Sequence, residues 1–426
     1  MHAARPPIVT SDLGLEGFGP LADLRPPSDF RSGVFTTAER FARALGRPVV
    51  ARFVSPELAA TVAERSSIPV NALPEGDDFL LLDASDPMYA VGHAVGHPAE
   101  AELPPRAAIS LGGRLVAARC GRKDLGRLLE HGPAAFASGL EVVHATADHA
   151  VPIDRPWRIL DRLGAAIAGD IEHLLAEAPA LGFEIGPSRI RAAGGATVGD
   201  APILVHASAS LSPFCCIDAS GGPVLVGPKV AVRPFATLVG PCCILEGSIV
   251  AERAVIKANT SIGPGCRVGG EVGGTIFQAF SNKAHDGHLG DSIVGEWVNL
   301  GAGTDNSNLL NTYGEVTVRL EASLSRERTG RIFCGSFLAD HAKFAIGTRL
   351  MTGTAVGTGA MVASSESPDT TVERFAWITD EGERRYRLAK FLEVARTVMA
   401  RRGVTPGPAY VERLESLHRR HGGDGT

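Results

Sequence analysis

Between Ser281 and Asn308 the chain gathers side chains that can carry chemistry. Lys283, His285, Asp286, His288 and Asp291 are followed by Asn299, Thr304, Asn306 and Asn308. A histidine titrates near neutrality and can move a proton at physiological pH. A lysine can pair with a phosphate. The run Asn299-Leu300-Gly301-Ala302-Gly303-Thr304 adds backbone N–H groups, around Gly301 and Ala302, that could hold an oxyanion. Such groups act together only when a rigid frame presents them.

The frame is a repeat. Stepping by six from Val226 gives Val232, Leu238, Ile244, Val250, Ile256, Ile262 and Val268. A second frame holds Ile332, Leu338, Phe344, Leu350, Val356 and Val362, and a short upstream one holds Val205, Leu211 and Ile217. This period matches neither a helix nor a flat strand. It predicts a parallel β-helix from about Ile203 to Val362, three hexads to a triangular coil, with the aliphatic residue stacked inward. Glycine follows that residue in Val226-Gly227, Ile262-Gly263, Val268-Gly269 and Val356-Gly357, where a corner is expected. The register breaks across 269–331, and the polar cluster lies inside the break, where function is expected.

A chain of 426 residues predicts two or three domains. Its 44% hydrophobic and 21% charged residues fit a globular protein, and a net charge of -5 without a basic block argues against a nucleic-acid partner. No apolar run is long enough to span a membrane, and the start, Met1-His2 through Pro6-Pro7, lacks a signal-peptide core. A cytoplasmic protein without a membrane partner is expected. The seven cysteines, an odd number without a C-x-x-C pair, predict reduced thiols used for packing, and no metal.

The string Lys283-Ala284-His285, then Leu289-Gly290-Asp291, and the later Val298-Asn299-Leu300-Gly301-Ala302-Gly303-Thr304 resemble a known family. It is the acetyltransferase half of the bifunctional UDP-N-acetylglucosamine pyrophosphorylase and glucosamine-1-phosphate N-acetyltransferase. The resemblance implies a left-handed β-helix of hexapeptide repeats and a homotrimer with sites between solenoids. It also implies acetyl-CoA as donor and an amino-sugar 1-phosphate as acceptor. His285 stands where the family has its general base, four residues before Leu289. By the same resemblance Asn299 and Asn308 contact the sugar substrate, while Ala302 and Ser336 contact acetyl-CoA. Lys283 reads as a partner of the sugar phosphate. His288 replaces an aromatic residue and reads as lining the sugar pocket. A rival casts His285, His288 and His341 as zinc ligands, as in trimeric β-helix carbonic anhydrases.

Residues 1–180 alternate apolar runs such as Val49-Val50-Ala51 and Phe79-Leu80-Leu81-Leu82 with helix-like stretches, predicting an α/β domain. Three segments resemble a divergent bacterial group of sugar nucleotidyltransferases: Arg31-Ser32-Gly33-Val34-Phe35-Thr36-Thr37-Ala38-Glu39-Arg40, Arg155-Pro156-Trp157, and Tyr386-Arg387-Leu388 onward. That resemblance spans almost the whole chain and implies sugar-1-phosphate nucleotidylyl transfer of the UDP-N-acetylglucosamine diphosphorylase kind. The glycine-rich L-A-A-G-x-G-T-R loop that cradles phosphates in such enzymes is missing, so the domain reads as degenerate. Arg25 and Arg31 read equally as phosphate ligands or structural ion-pair residues. Asp83 reads as a carboxylate for Mg²⁺ or as an ordinary strand end. The expected domains are 1–180, a solenoid at 181–380, and a helical cap at 381–426 with a partner subunit as one surface it could pack on. Three functions are open: acyl transfer, nucleotidyl transfer, and non-catalytic binding of a nucleotide sugar.

Overall fold

In the computed structural model, which describes residues 5–85, 103–144 and 151–421, the amino-terminal part forms a six-stranded sheet. Strand Ile8–Ser11 lies between Val49–Phe53 and Phe79–Asp83, parallel to both. The antiparallel pair Arg114–Cys120 and Ala107–Leu111 follows, and Glu141–His144 closes the sheet. Helix Thr37–Leu45 opens on a capping box, in which Thr36 accepts from the Glu39 N–H and Glu39 from the Thr36 N–H. It stops at Gly46, whose φ of 60° is a left-handed conformation that glycine adopts freely.

The predicted hexads stack inside a parallel solenoid. All eight residues from Val226 to Val268 are fully buried in one continuous core with Leu338, Leu350, Val356 and Val362. The first face has five strands from Ser210–Leu211 to Asn282–Lys283, the second six ending at His288–Gly290, and the third ten. Two expectations change. Ile332 is 51% exposed, because between Asp305–Asn306 and Phe337–Leu338 the chain leaves the coil and forms the hairpin Thr317–Val318 with Glu327–Arg328. The polar stretch, by contrast, does not interrupt the coil. Val268 pairs with Lys283, Val272 with Leu289 and Phe277 with Val294, so shortened corners break the period of six while the ladder continues.

The third face reads as nearly unbroken apolar sequence because it is covered on both sides. Helix Pro156–Leu175 lays Trp157, Leu160, Leu163 and Ile167 on Leu225, Cys243, Ile293 and Phe337. This explains the adjacent cysteines: Cys242 faces the inner stack and Cys243 faces the helix. Burial pushes both thiols up, Cys243 to about 12.

Helices Leu388–Ala400 and Pro408–Arg420 bury Phe391, Met399, Tyr410 and Leu414 against Trp297, Phe375 and Leu24. Their apolar stripes pack on this chain's own solenoid and amino-terminal segment. Among the described residues no helix is long and apolar enough to cross a membrane.

Candidate functional site

Lys283 occupies an inward position of the coil, where the repeat elsewhere puts an aliphatic residue. Its stem is buried, and its ammonium donates to the carbonyls of Gly287 (2.6 Å), Gly269 (3.3 Å) and His285 (3.3 Å). Burial pulls its pKa down to about 8, opposed by Asp305 and Asp286. Lys283 therefore ties the turn Ala284–Gly287 from within and is not presented to an external phosphate. Gly287, at φ 121°, lets the next coil approach: a Cβ there would stand 2.3 Å from the Thr304 carbonyl oxygen. His285 sits exposed on this turn, and among the described residues no side chain bonds its imidazole.

His288 is held differently. It pairs with Glu271 across the second face, and its Nδ1 lies 3.2 Å from Glu271 Oε1. Glu271 also receives Lys257 Nζ at 2.5 Å, which holds its carboxyl below the usual range. The His288 amide donates to Asp305 Oδ1. A carboxylate 3.2 Å from Nδ1 favours the tautomer that carries the proton there, which would make Nε2 the acceptor. A Cβ built on Gly290 would meet both His288 Nε2 and Asn308 Nδ2 at 2.7 Å, so the ring nitrogen and the amide converge over a bare glycine. Asn308 donates to Asp291 Oδ2 (2.8 Å), and Arg331 bridges Asp291 (3.1 Å) to Asp161 of the helix Pro156–Leu175. Inside the coil, Asn306 fixes Gly290 through its N–H (2.8 Å) and carbonyl (3.0 Å).

The other expected contacts scatter. Asn299 lies on the first face, accepting from Asn282 Nδ2 at 2.9 Å, and the two line one cavity. Ala302 is exposed at the corner, but the Gly301 N–H donates to the Phe344 carbonyl at 3.2 Å and offers nothing to an oxyanion. Ser336 is fully buried, its amide donated to Ser292 Oγ, so it presents no group outside the solenoid. His341 is also buried, with Nε2 2.8 Å from the Tyr410 hydroxyl, and burial pushes its pKa well down. This contact removes it from the three-histidine zinc arrangement. No group of three or more His, Cys, Asp or Glu among the described residues is placed to hold a metal.

In the amino-terminal domain the expected phosphate and metal ligands are already partnered. The buried Arg25 guanidinium lies 2.5 Å from Asp340 and 3.4 Å from Glu296, both in the solenoid domain. The Arg31 backbone exchanges hydrogen bonds with the Gln278 amide, and its guanidinium bonds the Val34 carbonyl. Asp83 takes Arg114 on both oxygens at 3.0 Å and also bonds Ser85, so its carboxylate does not fit a Mg²⁺ ligand. Sequence reasoning missed Glu271 and Arg331. Glu271 lies 17 residues before His288, one coil away, a spacing that the shortened corner disguises.

Residues 8–178 match the family described as sugar nucleotidyl transferase. The bifunctional protein GlmU of Acinetobacter baylyi is 28% identical over 253 residues, 55% of this chain and 51% of that protein. GlmU of Rippkaea orientalis is 36% identical over 85 residues, 20% of this chain and 18% of that one. The matched stretches thus span between about a fifth and a half of these relatives. Among solved structures, the UDP-N-acetylglucosamine acyltransferase of Francisella novicida is 17% identical over 51% of this chain and 75% of its own, with a TM-score of 0.27. The chain is thus similar to GlmU proteins over part of its length, with residues 8–178 matching the sugar nucleotidyl transferase family and a parallel β-solenoid following them.

Proposed function

We propose that this protein is a sugar-phosphate transferase whose solenoid passes the acetyl group of acetyl-CoA to the amine of an amino-sugar 1-phosphate. The observation that carries the reading is the imidazole of His288, with Nδ1 3.2 Å from the Glu271 carboxylate and Nε2 converging with the Asn308 amide over Gly290. The amine nitrogen attacks the thioester carbon, a histidine takes the N–H proton, and as the C–S bond breaks the imidazolium returns that proton to the leaving sulfur, releasing the CoA thiol. Resemblance gives the base as His285, which the turn exposes. Geometry favours His288, because an oriented ring loses less freedom on reaching the transition state. Free-thiol release by His285→Gln and His288→Gln, with glucosamine 1-phosphate as acceptor, decides between them. A wild-type protein that releases no thiol with any amino-sugar phosphate would remove the acyltransferase reading.

A homotrimer with sites between solenoids belongs to the same reading. Light scattering on the full chain tests it. The second activity is nucleotidyl transfer in the amino-terminal domain, favoured by the family match over residues 8–178. The internal pairing of Arg25 and Asp83 weighs against it. Pyrophosphate release from UTP with a panel of sugar 1-phosphates measures it, and its absence would leave a nucleotide-sugar-binding domain without turnover.

A further inference from the structure

We infer that the first face of the solenoid and the end of the carboxy-terminal helix Leu388–Ala400 form a binding site for the phosphoryl group of a phosphorylated sugar. The site is a cavity of about 380 Å³. Arg267 enters it from the coils, Arg401 and Arg402 from beyond the helix, and Asn282 and Asn299 from the ladder between, while the Lys343 ammonium at its wall is held by the Trp297 carbonyl at 2.6 Å. Among the described residues no carboxylate lines it.

The charges are uncompensated. Arg267, Arg401 and Arg402 make no ion pair with any described carboxylate, whereas Arg25, Arg40, Arg114 and Arg374 each do. Burial lowers the Arg402 pKa, and Arg267 and Arg401 lower it further, so these guanidiniums repel one another. Residues just past a helix end are favoured as cations by the helix dipole, which accounts for Arg401 and Arg402 alone. It does not account for Arg267 meeting them across the cavity.

A second, independent observation points to a missing acceptor. Trp297 lines the cavity, is 2% exposed, and stacks on Phe280 at 4.4 Å. Its Nε1–H has no partner. A buried donor without an acceptor is unfavourable, and a ligand oxygen would relieve it. Guanidiniums match phosphate oxygens in geometry and charge, while the two asparagine amides suit hydroxyl groups. The inference deepens the proposed function by naming the phosphate-holding residues, and rests on that reading for the sugar.

The test is calorimetric titration of the full chain with inorganic phosphate, glucosamine 1-phosphate and UDP-N-acetylglucosamine, alongside Arg267→Gln, Arg402→Gln and the double variant. Each single change should weaken binding on the order of 10-fold. The ligand-free melting temperature should hold or rise, because repulsion is relieved. Trp297→Phe should weaken binding without loss of fold. Preference for the sugar phosphate over the nucleotide sugar, or the reverse, assigns the source. Undiminished affinity in the double variant, or no phosphate probe binding to wild type at millimolar concentration, overturns the site. Phosphate binding that depends on these arginines without thiol release keeps the site and removes the acyltransferase; thiol release with an unchanged KM in the double variant does the opposite.

Discussion

The amino-terminal domain and the first face of the solenoid both display arginines, and they use them in opposite ways. Arg40 lies buried with Asp170, Nε to Oδ1 at 2.7 Å and Nη2 to Oδ2 at 2.9 Å, and Arg374 forks onto Asp23. Arg25, Arg40 and Arg374 bind elements far apart in sequence, and Arg25 and Arg374 tie the two domains together. Around the cavity of Arg267 and Arg402 no carboxylate among the described residues answers. An arginine count cannot separate these cases, because a guanidinium can receive a ligand only when no internal anion already holds it.

The comparison breaks first in the amino-terminal half. Asp170→Ala leaves Arg40 buried and unpaired, and should cost about 3–5 kcal/mol in urea unfolding. If Arg267→Ala cost as much, the contrast between closed and open cations would fail. The two histidines give the next largest effect. His288→Gln should cut thiol release on the order of 10²-fold or more, and His285→Gln less than about 10-fold. The reverse order returns the base to the exposed turn.

Glu271→Gln sharpens the same point. It should lower kcat by roughly 10-fold and shift the acidic limb of its pH profile while leaving KM near the wild-type value. A change in KM alone would make Glu271 a packing residue. The smallest effect concerns Lys283, whose folded pKa of about 8 lies below the unfolded value. Between these two pKa values the unfolded chain binds more protons, so stability from this group rises with pH from about 8 upward. Lys283→Met should flatten that part of the wild-type stability profile.

Parts of this were legible beforehand. The stack from Val226 to Val268 follows from residue spacing, since a coil of this kind buries one side chain per hexad. The end of the long frame at Val268 also located the candidate chemistry, although its cause is a shortened corner and not a gap in the ladder. Ile332 kept the period and still lies exposed, because periodicity does not report where a chain leaves the coil. Lys283 reads as a ligand contact by its type and Ser336 by resemblance. The lysine faces inward to three carbonyls, and the serine is covered on the third face.

Hydrophobic spacing alone thus determined the solenoid, since burying a regular row of aliphatic side chains is a local and repetitive demand. Which charges remain open was decided only by the tertiary structure. The partners of Arg25, His288, Asn308 and Asp83 come from another domain, another coil or a neighbouring strand, and electrostatic pairing acts through space, without regard to separation along the chain.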